Sequence, residues 1–169
     1  MSLVDRGGFF VADTARVLGD SRLAKDVSIW YGAVVRGDMA SITIGECTNI
    51  QDNCVLHCDP GEDLVIGSHV TVGHMATVHG MKIGDNCLIG IGSIILARAE
   101  IGENCLIAAG ALVREGQKVP PGSIVVGVPG KIIGQNPPDW AETSRARAIR
   151  YLATARRHVD GKIDPKFMT

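Results

Sequence analysis

Residues 83–125 read IGDNCLIGIGSIILARAEIGENCLIAAGALVREGQKVPPGSIV, and in this stretch an aliphatic residue returns at every sixth position. The same period continues upstream in three shorter runs, which differ from it only by small changes of phase. The eighteen residues that lead the six-residue units are Val17, Leu23, Ile29, Val35, Ile44, Ile50, Leu56, Ile66, Val72, Val78, Ile83, Ile89, Ile95, Ile101, Ile107, Val113, Val119 and Val125. The fold must therefore be built on a period of six.

A period of six matches neither an amphipathic helix, whose period is 3.6, nor an array of hairpins. It predicts an all-β solenoid in which each unit is one short strand plus a corner, and three units close one coil. The lead residue points inward, and small residues four positions later, such as Cys87 and Cys105, are expected to be packed inner thiols. The pattern resembles the left-handed parallel β-helix of the hexapeptide-repeat superfamily over about residues 11–130. The handedness comes from this resemblance.

Composition argues against several classes of protein. The chain has 169 residues, which favours one domain, and its formal net charge of -1 argues against nucleic acid or an anionic membrane as partner. No apolar run approaches ~20 residues, and the N-terminal sequence lacks the basic and apolar segments of a secretory signal. The five cysteines show no metal-ligand spacing and suit a reducing compartment, so we expect a cytoplasmic protein.

The repeat stops after Pro129 and gives way to a different pattern. We expect residues 1–130 to form the β-helix. We expect residues 131–169 to form a linker and one helix that packs on the prism, so that the whole chain is a single domain.

The helix is predicted at about residues 139–159. Asp139 and Glu142 have the spacing of a capping box at its start, and Gly161 is a suitable C-cap. The arginines of this segment are predicted to form a solvated face. The apolar residues that recur at helical spacing, and that should face the prism, are Ala148, Leu152, Ala155 and Val159.

The period breaks three times, and the breaks cluster around the histidines. The spacing to the next lead residue is nine after Val35, ten after Leu56 and five after Val78. The two insertions are expected to bulge at corners of the prism, and the second, CDPGED at residues 58–63, carries three carboxylates. Because insertions on solenoids often lie on the functional face, these breaks indicate a site.

Counting the units assigns the histidines to columns. His57 and His79 each follow a lead residue and are three units apart, so they should stand on adjacent coils ~4.8 Å apart. Arg36 occupies the same position one coil earlier. Two imidazoles at this spacing suit a shared metal ion. His69 and His158 have no partner in the columns and are predicted to be structural.

His74 belongs to a second column, where it stands one coil from Asp52 on the preceding side of the prism. If three prisms associate about a threefold axis, the first column of one subunit faces the second column of the next. His57 and His79 then converge with His74 of the next subunit, and three neutral imidazoles make a zinc site of catalytic type. This arrangement predicts a homotrimer.

Four segments together resemble the γ-class carbonic anhydrases and their close relatives: RGD at 36–38, IQDN at 50–53, His57, and GHMATVHG at 73–80. The shared block runs from about residue 30 to residue 130, with the same breaks of phase. Each motif is weak alone and specific as part of the set.

The resemblance implies a homotrimer with zinc, or alternatively iron or cobalt, bound by His57 and His79 of one subunit and His74 of the next. It also implies that Arg36 and Asp52 form an ion pair that supports the interface. The implied reaction is that of a lyase, in which zinc-bound hydroxide attacks CO2 and gives bicarbonate.

The resemblance also assigns roles near the metal. Gln51 is implied beside the metal-bound water, Asp38 is implied as a supporting residue, and Tyr151 is a candidate catalytic residue from the helix. The chain departs from the active archetype at Met39, where an acidic residue is expected, in a short acidic loop, and at Arg150, where an asparagine is expected. These differences concern the rate of CO2 hydration, and metal binding is expected to survive them.

Three other functions remain open from the sequence. The same metal centre could hydrolyse acyl-CoA esters as a thioesterase. A hexapeptide acyltransferase would need only one histidine as general base. A catalytically weak structural trimer could use the metal to join its subunits.

Overall fold

The computed structural model describes residues 2–162, which form a left-handed parallel β-helix of about six turns with one C-terminal helix. The strands, in chain order, are β1 Leu3–Asp5, β2 Phe10–Ala12, β3 Arg16–Leu23, β4 Ser28–Ile29, β5 Val34–Ile44, β6 Asn49–Ile50, β7 Val55–His57, β8 Leu64–Ile66, β9 Thr71–Val72, β10 Thr77–Val78, β11 Lys82–Ile83, β12 Leu88–Ile89, β13 Ile94–Ile95, β14 Glu100–Ile101, β15 Leu106–Ile107, β16 Leu112–Val113, β17 Lys118–Val119, β18 Ser123–Val126 and β19 Lys131–Gln135. The helix is α1, Trp140–Val159. The predicted fold class is confirmed.

The prism has three faces. The first face has the strand order β1-β2-β4-β6-β9-β12-β15-β18-β19, which is parallel except for the antiparallel pairs at its two ends. The long strand β5 turns from the second face onto the third. Its first part pairs with β7, followed by β10, β13 and β16, and its second part pairs with β8, followed by β11, β14 and β17.

The lead residues form the core, as predicted. All are buried except Val17 and Leu23, which are only partly buried. Both lie on β3, which pairs only with β5 and therefore has a neighbouring strand on one side alone. The two exceptions thus mark the end of the prism rather than a fault in the period.

The inner thiols are packed as predicted. Cys87 and Cys105 are fully buried on adjacent coils, and all five cysteines are free. The backbone N–H of Cys105 donates to Cys87 Sγ at 3.4 Å, and each thiol donates to a backbone carbonyl of the next coil at 3.1 Å. Hydrogen bonding therefore satisfies this pair without a covalent link.

The three breaks of phase have different structures. The first insertion lies within β5, where pairing with β3 shifts register between Gly19 and Ser21. It continues the strand instead of leaving the corner as a separate bulge. The second insertion forms the connection 58–63 between β7 and β8, directly after His57. The deletion after Val78 shortens the turn between β10 and β11.

The helix lies against the first face, and its contacts are small or polar. Ser144, Ala148 and Ala155 are its buried residues. The indole N–H of Trp140 donates to the carbonyl of Asn86 at 3.0 Å. The completely buried residues of α1 are thus small, while Tyr151 and Leu152 pack partly buried against the core.

Three details of the C-terminal prediction differ from the structure. Val159, predicted to face the prism, is 38% exposed because it is the last residue of α1. Asp139 is the N-cap, but its side chain forms no capping hydrogen bond. Its backbone, at φ -86° and ψ 7°, lacks the extended conformation that aims a cap side chain at the helix N–H groups. Strand β19 was not expected; it pairs antiparallel with β18 and closes one end of the first face.

Residues 161–162 follow the helix. Gly161 has the left-handed φ of 65° that suits the position after a helix C-cap.

No helix among residues 2–162 combines the length and the apolar character that crossing a membrane requires.

Candidate metal centre

Strands β7 and β10 bring His57 and His79 side by side on the second face. The strands are parallel and in register at Leu56 and Val78, so the following residues occupy equivalent positions on adjacent coils. The two imidazole centroids are 5.4 Å apart and the ring planes differ by 33°. Arg36 is in register with His57 one coil earlier. The first predicted column therefore exists.

A backbone carbonyl sets the tautomer of His57. Its Nδ1 lies 2.8 Å from the carbonyl oxygen of Arg36, which can only accept a hydrogen bond. The proton of the neutral ring is therefore on Nδ1, and Nε2 keeps a free lone pair. This is the orientation that metal-binding histidines commonly adopt, with the second nitrogen held by a hydrogen bond.

His79 carries an unsatisfied ring nitrogen. Its Nε2 is buried and has no hydrogen-bond partner within residues 2–162. Asp59 Oδ1, from the second insertion, is 3.3 Å away, but the pair lacks hydrogen-bond geometry. Proximity to Asp59 therefore does not satisfy Nε2 of His79, because a buried polar atom needs hydrogen-bond geometry as well as a short distance. A nitrogen left in this state is suited to a metal ion.

Arg36 and Asp38 form a local ion pair beside these rings. Both carboxylate oxygens of Asp38 accept from Nη1 of Arg36, at 2.7 and 2.9 Å. This hydrogen bonding holds the pKa of Asp38 below its usual value. Asp38 Oδ1 is also 3.6 Å from Nδ1 of His57. Because Arg36 compensates the charge of Asp38, Asp59 is the carboxylate beside the two rings that remains to attract a cation.

His74 and Asp52 form the second predicted column, at the end of the first face. Nδ1 of His74 is 2.8 Å from Asp52 Oδ2, which favours the tautomer with the proton on Nδ1. The buried amide of Gln51 lies between neighbouring groups: its Oε1 accepts from the backbone N–H of His74 at 3.2 Å, and its Nε2 donates to Asn49 at 3.1 Å. Gln51 therefore fixes the backbone that carries His74.

Tyr151 reaches this second group from α1. It lines one cleft together with Gln51 and His74. Its ring packs edge-on against Trp30 with centroids 5.7 Å apart, and burial raises the pKa of its hydroxyl. The phenol therefore stays protonated at neutral pH and can act as a hydrogen-bond donor.

One subunit does not bring all three histidines together. Within residues 2–162, no group of three or more histidine, cysteine or carboxylate side chains is arranged to hold a metal ion. The side chains present nevertheless fit one: His57 and His74 each have Nδ1 held by an oxygen, and His79 has a buried nitrogen without a hydrogen bond. The donor set is divided between two corners of the prism.

The two other histidines have local partners. His158 Nδ1 is 2.8 Å from the hydroxyl of Tyr31, and its ring packs against Trp30. The carbonyl of His69 accepts from Ser144 Oγ at 3.4 Å, which ties the β-helix to α1. The His158 side chain therefore has a packing role, whereas the contact at His69 is made by its backbone.

Arg147 was missed by the reasoning from sequence. It lines the cleft with Tyr151, although the arginines of α1 were predicted to be solvated. The signal was available, because residues four apart share a helix face and Tyr151 had been assigned to the site.

Comparison with known proteins relates the repeat and most of the chain to one family. The family model described as "Bacterial transferase hexapeptide (six repeats)" matches residues 80–115. A relative from Methanocaldococcus jannaschii named "Probable carbonic anhydrase" is 43% identical over 142 residues, which cover 84% of this chain and 89% of the relative.

Two further relatives extend the comparison. "Gamma carbonic anhydrase 2, mitochondrial" of Arabidopsis thaliana is 40% identical over 162 residues, and the match covers 92% of this chain but 58% of that longer protein. The crystal structure of a hexapeptide transferase family protein from Anaplasma phagocytophilum superimposes with a TM-score of 0.83. It is 39% identical, and the match covers 89% of each chain.

Proposed function

Because the chain belongs to the γ-class carbonic anhydrase family of hexapeptide-repeat proteins, we propose that it is a metal-dependent lyase that hydrates CO2 to bicarbonate. Relatives that are named carbonic anhydrases support an enzyme of this class. The active centre is the region around His57, His79 and His74, completed between subunits.

One observation carries this proposal. His57 and His79 stand on adjacent coils, the first with Nδ1 engaged by a carbonyl and the second with a buried nitrogen that has no hydrogen bond. A buried polar atom without a partner is costly, so proteins rarely keep one unless it has a role. Binding of one metal ion by both rings accounts for the arrangement.

The third ligand comes from a second copy of the chain. His74 is held by Asp52 at a different corner, and a homotrimer would bring it to the His57–His79 pair of its neighbour. The second face supports such an assembly, because an outward column of largely apolar residues lies in register beside the histidines. The members of this column are Val34, Val55, Thr77, Ile94 and Leu112.

His57, His79 and the neighbour's His74 would hold a zinc ion, which would lower the pKa of bound water toward ~7 and supply a nucleophile at neutral pH. Iron and cobalt are the alternative ions. The protein contributes the orientation of the ligands: the carbonyl of Arg36 holds the His57 ring, and Asp52 holds the His74 ring.

The remaining site residues have supporting roles. Both contacts of Arg36 with Asp38 use Nη1, so Nε and Nη2 stay free for Asp52 of the neighbouring subunit. Gln51 is anchored on both sides of its amide and is proposed to orient the reacting water. Tyr151 contributes a protonated hydroxyl from α1 to the cleft that also contains Gln51 and His74.

Acyl transfer or thioester hydrolysis is the second candidate. The solved hexapeptide transferase family protein favours it, since that structure shares the fold at 39% identity. A thioesterase would use the same metal centre, whereas a transferase needs only one histidine as base. A structural metal centre without turnover is the third possibility.

Three measurements on the purified full chain separate these functions. Metal analysis should give one zinc, iron or cobalt ion per subunit in a trimer. Stopped-flow hydration of CO2 with the zinc-loaded protein should exceed the rate of a His57→Ala variant, which keeps the fold but loses a ligand. Hydrolysis and transfer of acetyl-CoA should stay at background. Acyl-CoA turnover without CO2 hydration would replace the proposal by its alternative.

The cytoplasm is the proposed location. All five cysteines are free and four are completely or almost completely withdrawn from solvent, an arrangement that suits a reducing compartment. The proposed partners are two further copies of the chain and CO2 or bicarbonate, with no role for nucleic acid or a membrane.

A further inference from the structure

A cleft between α1 and the first face adjoins the metal centre on the His74 side. Its volume is about 330 Å³. Aliphatic side chains such as Leu88 and Ile91 form its walls, and Gln51, His74, Arg147 and Tyr151 are its main polar groups. Mostly apolar clefts of this size with a few converging polar groups are typical of small-ligand sites.

We propose that this cleft binds a small monoanion of carboxylate type, bicarbonate included, and that the guanidinium of Arg147 holds its oxygens. The proposal extends beyond the hydration reaction, because it assigns anion binding to Arg147, which has no role in that reaction, in a cleft that borders the metal ligand His74. It stands on the cleft itself, so it does not depend on turnover at the metal.

Arg147 differs from the other arginines of α1 because it is partly buried and its side chain has no hydrogen-bond or ion-pair partner; Arg150 also lacks a side-chain partner within residues 2–162, but it is exposed. Arg145 donates to Asn86 Oδ1 at 3.2 Å, and Arg156 pairs with Asp26 at 3.1 Å. Arg147 forms no hydrogen bond or ion pair within residues 2–162, and its Nη1 is completely buried. Its guanidinium carbon lies 5.5 Å from the centroid of the Trp140 ring.

The environment of this guanidinium is short of negative charge. Burial, and then the like charge of Arg150, lower the pKa of Arg147. A guanidinium that is partly withdrawn from water and has no acceptor is unfavourable, and an anion at the part of Arg147 that lines the cleft would reduce that cost. Tyr151 lies on the same helix face and offers a second donor, since its protonated hydroxyl forms no hydrogen bond within the described residues.

The cleft favours one negative charge over two. It contains one guanidinium, and Asp52 is close enough to contribute to the raised pKa of Tyr151. A dianion such as hydrogen phosphate would leave one charge uncompensated between apolar walls. The planar fork of arginine matches the two oxygens of a carboxylate, and the aliphatic walls accept a short apolar body.

Isothermal titration of the full chain, with and without zinc, tests the proposal directly. The probes are acetate, butyrate and bicarbonate, with sodium chloride to match ionic strength and inorganic phosphate as the dianion. Wild type should bind at least one carboxylate saturably and phosphate more weakly. Arg147→Gln should weaken that binding by about tenfold or more, because it removes a charge-assisted pair.

Two control variants separate the role of the Arg147 guanidinium from a general effect of positive charge on the helix. Arg150→Gln removes an exposed positive charge one turn away and should change the affinity by less than about twofold. Arg147→Lys keeps the charge without the fork and should bind with intermediate affinity. Binding of bicarbonate alone would identify the product of the proposed reaction as the ligand, and binding of acetate and butyrate would indicate organic carboxylates.

Three outcomes would overturn the proposal. The first is the absence of saturable carboxylate binding by wild type, and the second is equal binding by wild type and a folded Arg147→Gln variant. The third is that Arg147→Gln dissociates the oligomer while its anion affinity is unchanged, which would assign the guanidinium to a subunit contact. Since the titration also runs without metal, a failure of CO2 hydration does not affect its result.

Discussion

The imidazole rings of His57 and His79 stand one coil apart on the second face, with centroids 5.4 Å apart and ring planes 33° from parallel. They are 22 positions apart in the chain, which is three units of six plus the four extra residues between Leu56 and Ile66. The insertion after His57 is therefore compatible with the pairing because it leaves the strands after it in register. The proposed metal centre rests on this pair.

Removal of a ligand should remove the metal. His57→Ala, His74→Ala and His79→Ala should each lower the bound metal of the purified protein to near background, because each deletes one of three ligands. Metal content by atomic absorption checks this. His69→Ala and His158→Ala should retain the metal, since neither residue lies in the two columns of the centre and His158 pairs with Tyr31 instead. Full metal content in any of the first three variants would remove that histidine from the centre.

Arg36 should matter more than an ordinary surface arginine. Arg36→Ala should weaken the trimer by ~3–5 kcal/mol if Arg36 forms a buried pair with Asp52 of the next subunit. Sedimentation equilibrium on dilution measures the change. Arg22→Ala is the matched control, because Arg22 pairs with Asp20 two residues away as Arg36 pairs with Asp38. Equal behaviour of the two variants would show that Arg36 acts only within its own chain.

The close stacking of coils should make Gly45 intolerant of a side chain. A Cβ at Gly45 would lie 2.5 Å from the carbonyl carbon of Gly67, which belongs to the backbone of the next coil. Gly45→Ala should therefore cost ~1–3 kcal/mol in the free energy of unfolding, measured by urea denaturation. Gly134→Ala is the control, because its Cβ would meet nothing within 4 Å, and it should change stability by less than ~0.5 kcal/mol.

His158 should make stability depend on pH. Burial, and then the nearby Arg157, lower its pKa below the ordinary value of 6.5. The folded state therefore binds its proton less readily than the unfolded state, and stability is complete above about pH 6.5 and falls as the pH drops below it. When the pH is lowered from about 7.5 to 5.5, the melting temperature of wild type should fall further than that of His158→Gln. Identical losses would mean that this ring titrates normally in the fold.

Much of this structure follows from the period of six. A residue that recurs at every sixth position can be buried only if each unit turns the chain by one side of a prism, and counting units then identifies neighbours on adjacent coils. The stacking of His57 with His79 and of His74 with Asp52 was therefore predictable. Val17 and Leu23 depart from burial because β3 has a strand on one side only.

Other features depend on contacts that no local pattern records. Strand β19 is exposed along its whole length and is held by pairing with β18, so it carries no alternation of apolar and polar residues. Asp139 has a capping side chain but the wrong backbone angles for capping. Arg145 and Arg156 reach oxygens of the β-helix, whereas the side chain of Arg147 has no such acceptor within residues 2–162, and the helical pattern alone does not distinguish these arginines.

The most direct test of the shared centre is metal content in mixed trimers. Chains with His57→Ala and chains with His74→Ala are co-assembled, and mixed trimers are isolated by two different affinity tags. Each variant alone should bind no metal. In a mixed trimer, one contact joins a chain with intact His57 and His79 to a neighbour with intact His74, so about one site in three should recover its metal. Mixed trimers that remain metal-free, although both chains fold and assemble, would show that the three histidines do not converge between subunits.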